Sequence, residues 1–414
     1  MSTTSETPSL TKIKKPVIVP GSFPTIYSKA LLTPTVAGFR QKIIKAFIWA
    51  NIFFISLKIF RKPVVALQKA KELKQLRNQY RNNHFLHKYI NIGGRYFVGY
   101  TAPGWPSKAF NRYIAHLFGK VSTPAANTLH TLIFAITKKC GFNCEHCCEW
   151  DNLNKPEQLT KEDILLIVQK FYTMGVAQVQ LSGGEPLNRF DDIIYLLDNA
   201  PEGIDFWMYT TGYQLTKQKA LLLKQHGLTG ITISLDDHDE RKHDAFRGKP
   251  GAYKRALMAC HYAAECGLAV TFSLCATKDF ITEENLMKYA AIAKSSSVAH
   301  IQILEPKAVG HYAGKEVTLE KNHWQLLEDF YEKMNFNTRY NTYPLVTYHG
   351  YYSRRIGCAG SGKDYLYVDT DGDVHSCPFC QRKLFSAFYD DLPTLVAHMK
   401  INGCGVYNFI KTKN

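Results

Sequence analysis

The sequence predicts an α/β protein built around a partial (β/α)6 TIM-like barrel. Between residues 130 and 305, six short apolar runs alternate with longer segments of helical periodicity, the pattern of parallel strands joined by helical crossovers. A complete barrel has eight such units, so six units indicate an incomplete one. We also expect a basic, mostly helical N-terminal extension before the barrel and a small cysteine-rich C-terminal β-hairpin region after it.

The predicted strands and helices alternate in a regular order. The six strands are Leu132–Thr137, Ala177–Ser182, Asp205–Thr210, Gly230–Leu235, Ala269–Cys275 and Ala299–Leu304. The first helix between them opens at the capping box Thr160–Asp163 and ends near Met174. The second helix ends near Asp198, and the later helices cover Lys217–His226, Ala252–Cys266 and Glu283–Lys294. In barrels of this kind the chemistry lies at the C-terminal ends of the strands.

Charge separates the first third of the chain from the rest. The chain has 414 residues and a formal net charge of +16. Residues 1–130 hold 20 Lys or Arg and two acidic residues, whereas the remainder holds 31 basic and 33 acidic ones. We expect a disordered segment 1–25, a basic helical extension 26–130, a barrel 131–310 and an auxiliary cysteine region 311–414. A near-neutral body is typical of an enzyme, and the basic extension predicts a separate partner-facing role.

The extension contains the strongly apolar stretch Ile43–Phe60, which is interrupted by Lys45 and Lys58. Its longest uncharged part, residues 46–57, has twelve residues, against the roughly 20 that a membrane span needs. Three interpretations stay open: a helix packed on the protein's own body, a helix in the membrane interface, or a true span. Basic residues beside the stretch would help it contact an anionic surface: Arg40, Lys42, Arg61 and Lys62.

Eleven cysteines are concentrated at the two ends of residues 140–404, and we expect no secretory signal before them. Clustered cysteines in a long chain are more typical of metal binding or catalysis than of a disulfide framework. We therefore expect a reducing compartment and a cytoplasmic protein, with peripheral membrane attachment if the apolar stretch lies in an interface.

Three of the cysteines follow the first predicted strand, as Cys140-x3-Cys144-x2-Cys147. Three closely spaced thiolates can hold three corners of a four-iron cluster and leave the fourth iron open for a substrate or cofactor. The alternative is a partial zinc knuckle. Against it, no fourth cysteine stands at zinc-site spacing, and Cys148 directly follows Cys147 and is badly placed to share its metal.

A second motif, Gly183-Gly184-Glu185-Pro186, lies at the end of the next strand. Glycines at this position let the backbone approach a ligand closely, and Glu185 offers a carboxylate as an acceptor for an ammonium group. Both motifs fall at C-terminal strand ends, where a barrel carries its chemistry.

Together the two motifs resemble those of the radical S-adenosylmethionine (radical SAM) superfamily, over about residues 130–305. The resemblance implies a [4Fe-4S] cluster whose open iron chelates the amino and carboxylate groups of S-adenosylmethionine (AdoMet). One-electron reduction then yields methionine and a 5′-deoxyadenosyl radical, which abstracts a hydrogen atom from the substrate while the protein positions the reactants. The resemblance also implies a reductant such as flavodoxin or ferredoxin.

The resemblance carries over to individual positions. Implied cluster ligands are Cys140, Cys144 and Cys147, and implied cofactor contacts are His146 near the adenine and Gly183, Gly184 and Glu185 at the methionine ammonium. Ser234, in Ser234-Leu-Asp-Asp237, and the strand end Tyr209–Gly212 resemble further cofactor contacts, although ordinary strand-end turns would look the same. Arg247 is expected in a salt bridge rather than at the cofactor carboxylate. No catalytic base can be named from the spacing.

A second cysteine group follows the barrel: Cys358, Cys377, Cys380 and the distant Cys404. The intervening Asp364–His375 alternates about an Asp-Gly turn and is predicted to form a β-hairpin. The group resembles the start of the SPASM or shorter twitch extension of radical SAM enzymes, which holds auxiliary iron–sulfur clusters. The full SPASM pattern has seven cysteines, so one auxiliary cluster is the most that is supported, with a four-cysteine zinc site as the alternative. The remaining barrel cysteines are predicted to be buried core residues: Cys260, Cys266 and Cys275.

The leading functional hypothesis is a radical SAM enzyme that modifies a peptide or protein, the role associated with such extensions. A second hypothesis places the apolar stretch on a membrane and makes the substrate a lipid or other small metabolite, in a pocket shaped by Glu305–Gly310. A third is a metal-stapled nucleic-acid-binding protein, prompted by the basic first third. Nucleic acid is disfavoured because the charge lies away from the barrel and no binding module is recognisable. An acidic leader peptide or anionic lipid would explain the same charge.

Overall fold

The computed structural model describes residues 35–122 and 129–402 of the chain. The segment 1–25, expected to be disordered, and the expected cluster ligand Cys404 lie outside these residues, so both remain predictions. The first described elements are β1 (Thr35–Ala37), α1 (Gly38–Phe60), α2 (Pro63–Tyr80), β2 (Lys88–Ile92), β3 (Arg95–Phe97) and α3 (Lys108–Ser122).

The N-terminal extension contains a small sheet as well as helices. β1, β2 and β3 pair antiparallel in that order. The turn between β2 and β3 contains Gly93 and Gly94, whose φ angles of 57° and 79° lie in the left-handed region that glycine adopts without strain. The sequence predicts only the helices here, because the three strands are short and show no sustained alternation.

α1 contains the apolar stretch and is long and apolar enough to cross a membrane, with 23 residues and a mean hydropathy of 1.8 in its most apolar 18-residue window. Only 17% of that window is buried against the protein. The buried residues of the helix fall along one narrow face: Gln41, Ile48, Ile52 and Ser56. α1 therefore rests on the body along one edge and leaves most of its surface exposed.

The six predicted strands form the centre of a ten-stranded sheet, and each starts and ends within two residues of its expected position. They are β4 (Thr131–Ala135), β5 (Gln178–Ser182), β6 (Asp205–Thr210), β7 (Leu228–Ser234), β8 (Ala269–Cys275) and β9 (His300–Leu304). The crossovers carry α4 (Lys161–Thr173), α5 (Phe190–Asn199), α6 (Lys217–Gln225), α7 (Glu240–Arg247), α8 (Ala252–Glu265) and α9 (Glu283–Ser295). Neighbouring strands pair parallel in chain order, and the predicted capping box opens α4.

Two more parallel strands extend the sheet at its edges. The elements after β9 are α10 (Lys321–Phe336), β10 (Leu345–Tyr348), α11 (His349–Ile356), β11 (Tyr365–Val368), β12 (Asp373–His375), β13 (Phe385–Ser386) and α12 (Leu392–Asn402). β10 pairs with β9 and β11 pairs with β4, so the described sheet has eight parallel strands where the sequence predicts six. Within the described sheet β10 and β11 are not paired to each other, which confirms a partial barrel with an open seam. β11 and β12 form the predicted hairpin.

The N-terminal extension covers the N-terminal ends of the parallel strands. Arg95 donates a hydrogen bond of 2.5 Å to Asp205, the first residue of β6. The ring of Tyr100 packs edge-on against Trp207, and its hydroxyl accepts a hydrogen bond from Thr232 at 3.1 Å. The cysteine loop follows β4 at the opposite ends of the strands, so the extension and the loop cap opposite ends of the barrel.

Candidate active site

The C-terminal strand ends surround a cavity of about 1350 Å³. Ten of the site residues expected from the sequence lie on its wall: Cys140, Cys144, His146, Cys147, Gly183, Gly184, Ser234, Cys358, Cys377 and Cys380. The fold therefore brings both described cysteine groups, the glycine turn and the end of β7 to one space.

The cysteine loop is shaped by hydrogen bonds from distant segments. The backbone N–H of Cys140 donates to the side-chain oxygen of Asn154 at 3.1 Å, and the amide of Asn154 donates back to the Cys140 carbonyl at 3.0 Å. The backbone N–H of His311 donates to the carbonyl of Cys147 at 2.9 Å. The ring Nδ1 of His311 lies 2.9 Å from the carbonyl of Cys144. These contacts hold the three cysteine backbones in place without using their thiols.

The Gly183-Gly184 turn packs against the base of the cysteine loop. The N–H of Gly184 donates to the carbonyl of Thr137 at 2.7 Å. A Cβ atom on Gly183 would lie 2.5 Å from the Thr137 carbonyl oxygen, and one on Gly184 would lie 2.4 Å from the carbonyl oxygen of Lys139. Glycine is therefore needed for the chain to approach its own cysteine loop, in addition to the approach to a ligand expected from the sequence.

Glu185 is buried and bound by the end of β6. Its Oε1 accepts hydrogen bonds from the Thr210 hydroxyl at 2.7 Å and the Leu187 N–H at 3.1 Å. Its Oε2 accepts from the Thr211 N–H at 2.8 Å and hydroxyl at 2.6 Å. The carboxylate thus ties two strand ends together, and Thr210 and Thr211 rather than Glu185 line the cavity in the described structure.

Arg247 is buried and links the cysteine loop to the residues after β7. Its Nε donates to Asp236 at 2.5 Å, so the predicted salt bridge is confirmed. Its Nη1 lies 3.6 Å from the sulfur of Cys144, a contact that the sequence does not predict. Burial would raise the pKa of Asp236, but the charge of Arg247, aided by His146, outweighs burial and holds that pKa below its ordinary value. A fixed guanidinium beside a cysteine sulfur suits a negatively charged thiolate site.

His146 stacks on Phe246, with ring centroids 4.9 Å apart and planes 15° from parallel. Burial, aided by the charge of Arg247, lowers the pKa of His146 to about 4, so the ring is neutral near pH 7. Its Nδ1 is buried and has no hydrogen-bond partner among the described groups. Buried polar atoms are normally satisfied, so this atom points to a ligand that completes the site.

Residues 134–291 match the family described as the Radical SAM superfamily. The chain carries a radical SAM domain. The match begins inside β4 and ends inside α9, so it contains the cysteine loop, the glycine turn and Ser234. Members of this superfamily use a [4Fe-4S] cluster and AdoMet.

Curated relatives of the radical SAM domain have different activities. The chain is 25% identical over 211 residues to the AdoMet-dependent heme synthase of Nitratidesulfovibrio vulgaris, covering 50% of this chain and 56% of that protein. It is 35% identical over 139 residues to the probable GTP 3′,8-cyclase of Archaeoglobus fulgidus, covering 33% of this chain and 45% of that protein. The chain spans about half the length of the first curated relatives it matches. These relatives' substrates are therefore not assigned to this protein.

A solved structure shares the fold over most of the chain. Streptococcus suis SuiB bound to the precursor peptide SuiA superposes with a TM-score of 0.54 at 13% identity, covering 87% of this chain and 83% of SuiB. At that identity the likeness shows the fold alone. It supports the partial barrel together with elements outside the radical SAM domain.

The C-terminal hairpin docks onto the cysteine loop of the radical SAM domain. Lys138, two residues before the loop's first cysteine, pairs with Asp371 in the hairpin turn at 2.5 Å. The hydroxyl of Tyr367 on β11 forms a hydrogen bond with Glu149, two residues after the last loop cysteine. These contacts bring the second cysteine group to the cavity wall beside the first.

Cys148 lies between the two cysteine groups. Its carbonyl accepts a hydrogen bond of 3.3 Å from the side chain of Gln381, in the C-terminal region. Burial, aided by Glu149, Cys147 and Cys377, raises the pKa of the Cys148 thiol well above its ordinary value. The sequence argues against Cys148 as a ligand of the first metal, and in the structure Cys148 lines the same cavity as both cysteine groups.

The loop thiols are buried, which sets a condition on metal binding. Burial raises the pKa of Cys140 to about 11 and that of Cys147 to about 12. Thiols with such pKa values are protonated near neutral pH, so binding iron must displace their protons. In residues 35–122 and 129–402, no group of three His, Cys, Asp or Glu side chains is arranged to hold one metal ion.

The remaining barrel cysteines follow the prediction with one exception. Cys260 and Cys275 are buried, as expected. Cys266, at the C-terminal end of α8, packs against the core but is only partly buried, so the prediction of full burial is wrong for this residue.

A polar chain inside the barrel is not predicted from the sequence. The hydroxyl of Tyr209 donates to Gln180 at 3.2 Å and accepts from Gln302 at 3.2 Å, and Gln302 lies 3.4 Å from His349. All four residues line the cavity. The sequence does contain a sign of such a chain: polar residues at alternate positions of an otherwise apolar strand, as at Gln178 and Gln180 in β5.

Proposed function

We propose that this protein is a radical SAM enzyme that binds a [4Fe-4S] cluster through Cys140, Cys144 and Cys147 and cleaves AdoMet reductively. The observation that carries the proposal is the convergence of these three thiols, the glycine turn and Ser234 on one cavity within a radical SAM domain. When bound, the cluster supplies the electron that turns AdoMet into methionine and a 5′-deoxyadenosyl radical. A reductant such as flavodoxin or ferredoxin delivers that electron.

The chain's own residues bind and orient the reactants. Arg247 places positive charge beside Cys144, where the ligated thiolates are negative. The side chains of Thr211, Ser234 and His146 line the wall where the polar groups of AdoMet would lie. Glu185 does not line the cavity itself; it positions the hydroxyls of Thr210 and Thr211, which do.

The second cysteine group is proposed to hold one auxiliary iron–sulfur cluster. The second group lines the same cavity as the first, through Cys358, Cys377 and Cys380. The auxiliary cluster would therefore lie near the reacting atoms, where it would either bind the substrate or accept an electron from it. Cys404 is the fourth ligand expected from the sequence, and Cys148 is a further thiol near Cys377.

AdoMet cleavage tests the proposed function. The chain is reconstituted anaerobically with iron and sulfide, and then incubated with AdoMet and dithionite. We expect 5′-deoxyadenosine by liquid chromatography and an iron content near eight atoms per chain if both clusters form, at about four per cluster. Replacing the three loop cysteines with alanine should reduce 5′-deoxyadenosine to background.

The control for that substitution is Cys266→Ala, which removes a partly exposed thiol outside the cavity and should leave cleavage unchanged. Cleavage that survives in the triple variant contradicts the proposal. A wild-type protein with an intact cluster that forms no 5′-deoxyadenosine contradicts it equally.

The lining of the cavity bears on the substrate. A peptide is the substrate expected from the SPASM-like region, and Streptococcus suis SuiB is known bound to a precursor peptide, SuiA. The wall beyond the cysteine loop of this chain is mainly apolar, which supports the alternative of a lipid or another apolar small molecule. The nucleic-acid alternative has no comparable support.

A further inference from the structure

The cavity extends from the cysteine loop to the three helices of the N-terminal extension. Its continuous wall includes the loop thiols at one end and apolar side chains of α1, α2 and α3 at the other. The aliphatic side chains that these helices contribute to the wall are Ile48, Ile52, Leu73, Leu76, Ile114 and Leu117. Residues of β10 and α11 beside the open seam, Thr347 and Ile356, line the same space. The cavity thus connects the active site with the inner side of the extension.

The size and lining of this space suit a long hydrocarbon chain. The whole cavity, which includes the space beside the two cysteine groups that AdoMet and the clusters would fill, has a volume of about 1350 Å³, against the roughly 300–1,000 Å³ of an ordinary small-molecule site. A cavity lined by leucine and isoleucine side chains stays dry and accepts hydrocarbon. The charged residues on this part of the wall are engaged: Arg81 donates to the Val98 carbonyl at 3.1 Å, and Arg77 lies over the Trp49 ring at 5.8 Å.

The outer surface of α1 is exposed, aromatic and basic. Phe39, Phe47 and Phe54 are 77%, 57% and 64% exposed, and Val64 at the start of α2 is 80% exposed. Residues 35–71 contain no Asp or Glu. Exposed apolar side chains among basic residues are typical of a helix that lies in the interface of an anionic membrane.

Side-chain hydrogen bonds hold α1 flat against the protein. Gln41 donates to the Leu86 carbonyl at 3.2 Å, and Ser56 donates to the Ala66 carbonyl at 2.9 Å. Asn51, in the middle of the helix, donates to the side chain of Asn111 at 2.9 Å. These contacts favour a helix that stays against the body, with its exposed face toward the membrane and its inner face bordering the cavity.

We propose that the substrate is a long-chain lipid taken from an anionic membrane, with its hydrocarbon chain in the apolar part of the cavity that α1, α2 and α3 border and its reacting carbon beside the cysteine loop. This inference rests on the proposed radical SAM function and adds the substrate class and the surface that delivers it. α1 lies between the membrane and the cavity, because Phe47 and Phe54 are exposed on its outer side while Ile48 and Ile52 border the cavity on its inner side.

Vesicle flotation tests the membrane surface. The full chain should float with vesicles of phosphatidylcholine and phosphatidylglycerol, more weakly with phosphatidylcholine alone, and less as salt is raised. Phe47→Glu/Phe54→Glu should weaken binding at least about tenfold, because two phenylalanines then no longer enter the interface. The matched control is Leu166→Glu/Leu221→Glu, which changes two exposed leucines on barrel helices and should leave binding intact.

Photocrosslinking tests the cavity. The probe is phosphatidylglycerol with a diazirine on a palmitoyl chain, presented in the same vesicles. We expect crosslinks to the inner residues Ile48, Ile52 and Ile114, mapped by mass spectrometry. Ile52→Trp/Ile114→Trp fills the space and should remove these crosslinks while vesicle binding persists. Crosslinks confined to the outer face of α1 in the wild type overturn the proposal without relying on the filled variant's folding.

AdoMet cleavage measured on the same preparations separates the two proposals. Cleavage by a protein that does not float with anionic vesicles overturns the lipid inference and leaves the radical SAM function standing. Flotation with crosslinks inside the cavity, but no 5′-deoxyadenosine, supports the lipid site and overturns the proposed chemistry instead.

Discussion

At the scale of single residues, the site depends on charges that are buried in matched pairs. Arg247 and Asp236 are 6% and 4% exposed, and each would be costly to bury alone. Paired, they fix a guanidinium beside Cys144 and join the cysteine loop to the segment after β7. Asp236 also accepts a hydrogen bond from the N–H of Cys275 at the end of β8, so one carboxylate connects three strand ends.

Breaking this pair should destabilise the fold strongly. Arg247→Gln leaves the Asp236 carboxylate buried without its partner, which costs about 3–5 kcal/mol in the free energy of unfolding. Urea unfolding followed by tryptophan fluorescence measures the change. Adding Asp236→Asn should recover part of the loss, because the unpaired charge is then removed.

The control for this prediction is Lys254→Gln, which breaks an exposed pair with Glu240 of 2.9 Å. Exposed pairs contribute little, so its effect should be small. If Arg247→Gln lowers stability no more than Lys254→Gln does, the pair does not have the role assigned to it.

At the scale of elements, the most demanding packing is between two turns. The glycine turn after β5 and the segment before Cys140 touch backbone to backbone, with no room for a Cβ atom on Gly184. This contact fixes the position of the cysteine loop relative to the end of β5. The turn therefore supports the loop directly, whatever further contact it makes with AdoMet.

Gly184→Ala should displace the cysteine loop. Its new methyl group would meet the Lys139 carbonyl at 2.4 Å, and such overpacking costs on the order of 1–3 kcal/mol. We expect a lower melting temperature and less iron per chain after reconstitution. The matched control is Gly141→Ala, inside the loop itself, where the added carbon meets nothing within 4 Å. Equal iron contents in the two variants would argue against a supporting role for the turn.

Local pattern predicts the central strands because each is a short apolar run between two helices. It does not predict β10 and β11 as barrel strands, since each has four residues and their partners lie far away in the chain. β11 is predicted only as an arm of a hairpin, although it also pairs with β4 from more than 200 residues earlier. Pairing at such distances depends on the finished sheet, not on local periodicity.

The candidate site also has features that local sequence predicts and features that it does not. The cysteine loop and the glycine turn are predictable because their spacing and order are written in contiguous residues. The contact of Arg247 with Cys144, the capture of Glu185 by Thr211 and the position of Cys148 near Cys377 all join segments that only the fold brings together.

At the scale of the whole molecule, the N-terminal extension is part of the body rather than an appendage. It covers the starts of the parallel strands, supplies one end of the cavity and inserts Tyr100 between β6 and β7. Its firmest link to the C-terminal half is Lys88 on β2, which is 1% exposed. Its side-chain Nζ donates to the carbonyls of Tyr340 at 2.8 Å, Tyr343 at 2.7 Å and Pro344 at 3.0 Å.

Lys88→Met should loosen the extension and the segment before β10 together. Methionine keeps most of the side-chain length but leaves three carbonyls without their donor, a loss of roughly 3 kcal/mol. Urea unfolding should show that loss, and amide hydrogen exchange should show faster exchange in α1–α3 as well as at Leu345–Tyr348. Lys108→Met, which breaks an exposed pair with Glu202, is the control and should change neither measurement. Faster exchange in the extension alone would mean that it folds as a separate unit, and that the cavity it shares with the barrel is not a fixed part of the molecule.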